Sequence, residues 1–211
     1  MARWTRATIV GEALDLLDEV GLDQVSTRLL AQRLSIKQPS LYSHFRNKDE
    51  LLGAMAEAAM LPHLDFPLPV PADDWRAWFI GNTQSFRRTL LLRRDGARLH
   101  AGSRPVGTDL ERSRAKVDYL VGAGLARRPA EMAMLAASRF TVGSVLEQQA
   151  DQQASSADQR SSGADEVDPD DAFRTGLDLI VAGLAQHGDG SGLRADAGRG
   201  RAPAVGRPSA G

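Results

Sequence analysis

The chain contains no cysteine. That excludes disulfides, thiolate zinc sites and a cysteine nucleophile, and it fits a cytoplasmic protein. No apolar run approaches the ~20 residues that a membrane-spanning helix requires. The start, Met-Ala-Arg-Trp-Thr-Arg, carries charge with no long apolar stretch behind it, so no signal peptide is expected. A Gly-x-Ser-x-Gly elbow, a P-loop and a dinucleotide fingerprint are all missing, which weighs against an enzyme. Acidic residues are missing over one long N-terminal stretch. Gln24 to Lys48 holds Arg28, Arg33, Lys37, Arg46 and Lys48 and no acid, whereas Glu12, Asp15, Asp18, Glu19 and Asp23 crowd the segment before it. A locally basic surface on a chain of net charge −1 is what phosphate contact needs.

With 211 residues and 42% apolar side chains, the chain can bury a real core. The periodicity is helical throughout, and no strand pattern survives inspection, so the fold class is all-α. A first helix is expected over about residues 5–20, with Ile9, Ala13, Leu16, Leu17 and Val20 on one stripe and Gly21 as its stop. Ser26 or Thr27 caps the second helix, which buries Leu30 and Leu34. Pro39 suits the first turn of a third, where its missing N–H costs nothing. Asn47 caps a fourth, with Glu50 placed as in a capping box, running to about Leu61. The Pro-rich stretch 62–72 reads as a boundary. Beyond it, helices are expected near 73–93, 107–122, 129–152 and 169–187, with a mobile loop over 153–168 and a disordered tail over 188–211. The implied domains are 1–62, 63–187 and the tail.

Residues 26–48 carry the sharpest signal. Two short helical patterns flank a tight turn, and the second begins Gln38-Pro39 and presents small polar, aromatic and basic side chains. That pattern suits a helix-turn-helix whose second helix enters the DNA major groove. The Gln38 amide can pair with an adenine edge, and Arg28 can reach a guanine. Ser40 can meet a base or a phosphate, and Tyr42 and His44 can lie along the sugar-phosphate wall. Lys48 and the start of the fourth helix can hold a phosphate. Arg33 and Lys37 are either groove-facing or solvated. A second copy is needed to read two half-sites ~34–36 Å apart. Residues 169–187 carry two apolar stripes, one of Phe173, Leu177, Ile180 and Leu184 and one of Ala172, Gly176, Leu179 and Gly183. Two faces need two partners, so this helix and 129–152 are expected to form an intermolecular four-helix bundle.

Thr27-Arg28-Leu29-Leu30-Ala31-Gln32-Arg33-Leu34, Gln38 to Phe45 and Asn47-Lys48 together resemble the tetracycline-repressor family of bacterial regulators. The resemblance implies DNA-contact roles for Thr27, Arg28, Gln38, Pro39, Ser40, Tyr42, His44 and Lys48. It continues through Ser85-Phe86-Arg87-Arg88, Arg93 to Pro105 and Phe140 to Gln149, which are similar to the tetracycline-binding members. There the drug binds as a magnesium chelate. The resemblance implies that His100 is the direct metal ligand and that Glu147, from the partner subunit, holds a metal-bound water. It implies ligand contacts for Asn82, Phe86 and the position of Lys116, and a segment at Ser103, Arg104 and Pro105 that moves on binding. Magnesium prefers oxygens and keeps waters, so one protein ligand suffices when the drug brings its own oxygens. Two positions depart: Leu64 stands where those members have His, and Lys116 where they have Gln.

The sequence therefore points to a homodimeric repressor of a palindromic double-stranded operator, with no permanently bound cofactor. A small-molecule inducer, such as a tetracycline–magnesium chelate, releases it. The alternative within the family is a regulator sensing an unrelated small hydrophobic ligand. An enzyme using His100, Arg104 and Glu147, or a ligand-binding protein whose DNA module is inactive, are the alternatives outside it.

Overall fold

A computed structural model describes residues 4–101, 108–158 and 167–187. Among these residues there are ten helices and no strand. The first four are α1 (Arg6–Val20), α2 (Thr27–Arg33), α3 (Gln38–Leu41) and α4 (Lys48–Ala59). Helix α1 starts at a reciprocal capping box between Thr5 and Thr8. It stops at Gly21, whose φ of 81° is open to glycine at no steric cost. Ser26, not Thr27, caps α2 by accepting the Leu29 N–H. Helix α3 is a single turn with Pro39 inside it, shorter than the periodicity suggested. Asn47 caps α4 as expected, but Glu50 does not close a capping box. Its carboxylate accepts the Arg46 N–H and pairs with Arg6 instead. Ile9, Leu17, Val25, Leu30, Leu41, Phe45, Leu51 and Met55 are buried together as the core of this part.

The Pro-rich stretch is not wholly irregular. Leu61–Leu64 forms one helical turn, α5, with Pro62 in its first turn. Then follow α6 (Trp75–Leu91), α7 (Gly96–His100), α8 (Thr108–Gly122), α9 (Arg127–Asp158) and α10 (Pro169–Ala185). Helix α9 is longer than expected, so residues 153–158, read as loop from composition, are helical. Gln153 explains part of this extension, because its side-chain amide donates to Asp95 at 3.1 Å and ties the end of α9 to the start of α7. The remainder of that expected loop, residues 159–166, and the tail lie outside the described residues.

Helices α6, α8, α9 and α10 enclose a second core built on Trp78, Phe79, Leu120, Leu125, Phe173 and Leu177. On α10 the buried stripe is Phe173, Leu177, Val181 and Leu184, with Ile180 only half-buried. Gly176 was expected on the face left for a partner. It lies instead under Phe140 of the same chain, whose ring tip would sit 2.4 Å from an added Cβ. Ala172, Leu179 and Gly183 do remain exposed, Leu179 at 70%.

Helix α7 links the first core to a smaller third cluster. Leu99 packs into the first core, while Ala97 packs with Phe86, Leu90 and Val145. Around this joint the acidic face of α1 is clamped by arginines. Arg93 reaches Asp18 at 2.6 Å and Asp15 at 3.3 Å, the Arg94 N–H donates to Asp18 at 2.9 Å, and Arg98 reaches Asp23 at 2.7 Å. Asp95 sits at the centre, 3% exposed and in the left-handed region at φ 56°. It accepts the Leu22 N–H at 2.8 Å. Asp15, Asp18 and Asp23 thus serve the joint between the two parts of the molecule, whereas Glu12 and Glu19 hold Arg33 of α2.

Candidate functional site

The exposed surface of α2–turn–α3 carries most of the sequence-derived DNA-contact residues. Arg28, Pro39, Ser40, Tyr42 and Lys48 are exposed, with Tyr42 at 49%, while Thr27, Gln38 and His44 are half-buried. The residues that share the interior face are Leu41 and Phe45. A large exposed aromatic beside basic and hydroxyl groups suits a sugar-phosphate wall. Gln38 is not free in solution. Its amide nitrogen donates to Thr27 Oγ1 at 3.0 Å and to Tyr42 Oη at 3.4 Å, so the three side chains hold one another. Ser43 Oγ donates to the Ser40 carbonyl at 2.7 Å, which tightens the turn after α3.

Arg33 is neither groove-facing nor merely solvated. It donates to Glu12 at 2.9 Å and to Glu19 at 2.7 Å on α1, and these carboxylates raise its pKa. Lys37 is exposed at the start of α3. Arg6 was not singled out from sequence. It donates to the His44 carbonyl and to Glu50 at 2.9 Å, and its guanidinium lies 4.3 Å from the Phe45 ring centroid. It therefore fixes the loop between α3 and α4 from the far end of α1. Only three-dimensional proximity reveals this, since the partners are 38 and 44 residues apart.

The second site centres on Phe86. Its ring lies 5.1 Å from the ring of His100 and 5.5 Å from that of His63. Asn82 precedes Phe86 by one helical turn on α6 and so shares its face. Asn82 is 5% exposed, and its Oδ1 has no hydrogen-bond partner. A buried acceptor without a donor is uncommon and is a natural docking point for a ligand hydroxyl or amide. His63 bridges two groups: its Nδ1 is 3.2 Å from Ser85 Oγ and its Nε2 is 3.4 Å from Lys116 Nζ. Burial, with the charges of Lys116 and Arg112 beside it, pushes the His63 pKa down to about 3. Burial alone lowers that of His100. Both imidazoles are thus neutral near pH 7.

The structure therefore brings Asn82, Phe86, His100 and Lys116 to one locality. It adds His63, Ser85 and Arg112, which sequence reasoning did not place there. His63 was concealed because the Pro-rich stretch reads as a linker, whereas the turn α5 aims its imidazole at α6 and α8. Leu64, where the resemblance implies His, is half-buried. Glu147 is exposed on α9, as a residue serving a second copy would be. Ser103, Arg104 and Pro105 lie outside the described residues. A small pocket of about 210 Å³, counting space open to solvent, adjoins His100 between α4, α6 and α7, lined by Met60, Thr89, Leu90, Arg93 and Leu99. No group of three or more His, Cys, Asp or Glu gathers as a metal cluster among the described residues, and no described helix is long and apolar enough to cross a membrane.

Two family models match the chain. The bacterial regulatory proteins of the tetR family match residues 9–55, and the tetracyclin repressor-like C-terminal domain matches residues 66–167. The class A tetracycline repressor protein from transposon 1721 of Escherichia coli is 45% identical over 195 residues, covering 85% of this chain and 89% of that protein. The solved structure of a class A TetR with 5a,6-anhydrotetracycline and magnesium superposes with a TM-score of 0.74 at 44% identity, covering 85% of this chain and 97% of that one. A Tetr-family transcriptional regulator from Streptomyces coelicolor is 57% identical, with a TM-score of 0.68 and coverage of 89% and 99%. The helix-turn-helix surface, the all-helical body with its polar side chains gathered around Phe86, and these matches over both parts agree: the chain belongs to the tetR family of bacterial regulatory proteins and is a dimeric, ligand-responsive, DNA-binding repressor.

Proposed function

We propose that the inducer is an oxygen-rich fused-ring molecule of the tetracycline type, delivered to His100 as a magnesium chelate, and that it draws the reading heads off a palindromic operator. The observation that carries this reading is Phe86 beside two neutral imidazoles, with the unpartnered Asn82 carbonyl one turn away. A flat aromatic ligand can lie against Phe86 while a hydroxyl satisfies Asn82. The donor set fits a metal that arrives with its ligand. His100 offers one neutral nitrogen, too little to hold magnesium alone and enough when the ligand supplies oxygens. His100, with Glu147 of the partner subunit through a water, would hold the ion. When bound, magnesium supplies a fixed positive charge between the imidazole and the ligand's oxygens.

The residues we assign to the operator are Arg28, Gln38, Ser40 and Tyr42 at the groove, with Thr27 positioning Gln38. Pro39, His44 and Lys48 lie along the backbone. His100 stands at the joint where α7 meets α4 and the arginine clamp, so occupation of the cleft and placement of the heads share one set of contacts. By linkage the ligand weakens operator binding by the same factor that operator weakens ligand binding. Leu64 offers no hydrogen bond, and loss of one such bond from a polar site costs ~1–3 kcal/mol. This observation favours a second reading, a family member tuned to a different small hydrophobic ligand. A gel shift on a palindromic operator, titrated with tetracycline plus magnesium, tests the first reading. Release of DNA in wild type but not in His100→Ala supports it. No release, together with no calorimetric heat from the drug, leaves the second.

A further inference from the structure

We infer that Gln149 of α9, with Gln153 one turn further on, is a positioning residue for operator reading. It fixes the turn between α6 and α7, and through that turn the angle at which each subunit of the dimer carries its helix-turn-helix. The inference does not depend on which ligand the body takes.

Helix α9 has two faces. Ala137, Thr141, Val145 and Gln149 follow one another at one-turn spacing and are buried within the chain. Leu135, Ala136, Gly143 and Leu146 are exposed, as the face that meets a second copy would be. The buried stripe ends on a primary amide, and burying an amide is tolerated only when its donors and its acceptor are used. Thr141 settles its hydroxyl on the Ala137 carbonyl of its own helix. Gln149 reaches outside its helix instead. Its Nε2 donates to the Arg93 carbonyl at 2.8 Å and to the Leu90 carbonyl at 3.4 Å, and its Oε1 accepts the Ala97 N–H at 3.3 Å. These are backbone groups of the kind that helix ends leave without partners: carbonyls at the close of α6 and an amide in the first turn of α7. The Asp95 side chain, at the start of α7, caps nothing in that helix.

The same turn grips the reading head. Asp95 accepts the Leu22 N–H at 2.8 Å and the Gln153 amide at 3.1 Å. Arg93 reaches Asp18 at 2.6 Å, and Arg94 Nη1 donates to the Glu19 carbonyl at 3.0 Å. Residues 93–95 are therefore bonded both to α9 and to the end of α1. Two heads that read half-sites ~34–36 Å apart must be held at a fixed spacing. A turn free to rock would leave only a fraction of dimers competent, and apparent operator affinity falls by that fraction. Only an amide offers a donor and an acceptor together at this reach. Methionine fills similar space and replaces neither bond.

The test uses the full-length dimer. The chain has no cysteine, so a single Glu57→Cys on the exposed surface of α4 puts one spin label on each head, and Arg114→Cys on α8 puts one on each body. Pulsed electron resonance on the Glu57→Cys dimer should give one narrow distance distribution. Gln149→Met should broaden it while leaving the Arg114→Cys distances and the helical content unchanged. On the palindromic duplex that wild type binds, Gln149→Met should bind about tenfold more weakly, the loss expected when about one dimer in ten holds the reading geometry. Gln153→Ala removes the tie to Asp95 from an exposed position, and it serves as the second variant should Gln149→Met fail to fold. It too should broaden the head distances alone. Unchanged head distances or operator binding in folded Gln149→Met would overturn the inference. So would body distances that broaden along with the heads, or, where Gln149→Met does not fold, head distances unchanged in Gln153→Ala.

Discussion

Asp95 is the single side chain through which the two parts of this repressor are most directly joined, and its removal has a magnitude that can be worked out. Its Oδ2 accepts the Leu22 N–H at 2.8 Å, and its Oδ1 accepts from Gln153 at 3.1 Å and from Arg98 at 3.5 Å. Burial pushes its carboxyl up, but these donors and the Arg98 charge outweigh it and hold the pKa below the usual carboxylate value. The stabilisation it gives is therefore present above the unfolded-state pKa and is lost as pH falls through the lower folded value. Asp95→Asn keeps a residue that tolerates the left-handed backbone but gives up the charge. Losing one hydrogen bond to a charged group costs about 1.5–3 kcal/mol. Asp95→Ala additionally leaves the Leu22 N–H without its acceptor and puts alanine at φ 56°, which adds about 1–2 kcal/mol. Urea unfolding followed by tryptophan emission gives the energies, and hydrogen exchange at the Leu22 amide reports the joint itself. Arg127→Gln is the control, because its bond to the exposed Asp118 lies away from the joint and contributes only ~0–1 kcal/mol. If Asp95→Ala unfolds like wild type and the Leu22 amide keeps its protection, the joint is not where the structure places it.

His63 predicts an acid sensitivity. Its folded pKa of about 3 lies below the unfolded 6.5, so its stabilising contribution is complete above 6.5 and declines as pH falls toward 3. Wild type should lose about 2 kcal/mol between neutral pH and pH ~5 from this group, and His63→Gln should remove that part of the slope in urea midpoints. Gly96→Ala places a Cβ 2.1 Å from the Leu90 backbone carbonyl, whereas Gly176→Ala meets only the tip of the Phe140 ring at 2.4 Å. Melting temperatures should fall further for Gly96→Ala, whose overpacking against fixed backbone reaches the upper end of ~1–3 kcal/mol or beyond. Leu179→Arg charges the exposed apolar face of α10, and sedimentation at micromolar concentration should show monomers with unchanged helical content. A persisting dimer would move the interface elsewhere.

Much of the fold was legible because helices announce themselves locally. The stripe Ile9, Ala13, Leu16 and Leu17, the stop at Gly21 and the cap at Asn47 are short-range chemistry, and each lies where periodicity put it. The helix-turn-helix was legible for the same reason, since all its residues lie within one short segment. The errors share a cause as well. Residues 153–158 are helical because Gln153 finds Asp95 across 58 positions, and Gly176 is covered because Phe140 lies over it. Arg33, left open between groove and solvent by the sequence, is held by Glu12 and Glu19 of α1. No window of the chain contains those pairs.

Residue order alone settled the helical class, the helix-turn-helix segment and its locally basic composition, because capping, periodicity and local charge act over a few residues. The cleft was settled only by folding. Neighbouring positions 63 and 64 look alike as a polar and an apolar residue in a proline-rich stretch, until α5, α6 and α8 come together. Packing then aims the His63 imidazole at Lys116 and Phe86, because burial and charge at a site depend on which distant surfaces meet.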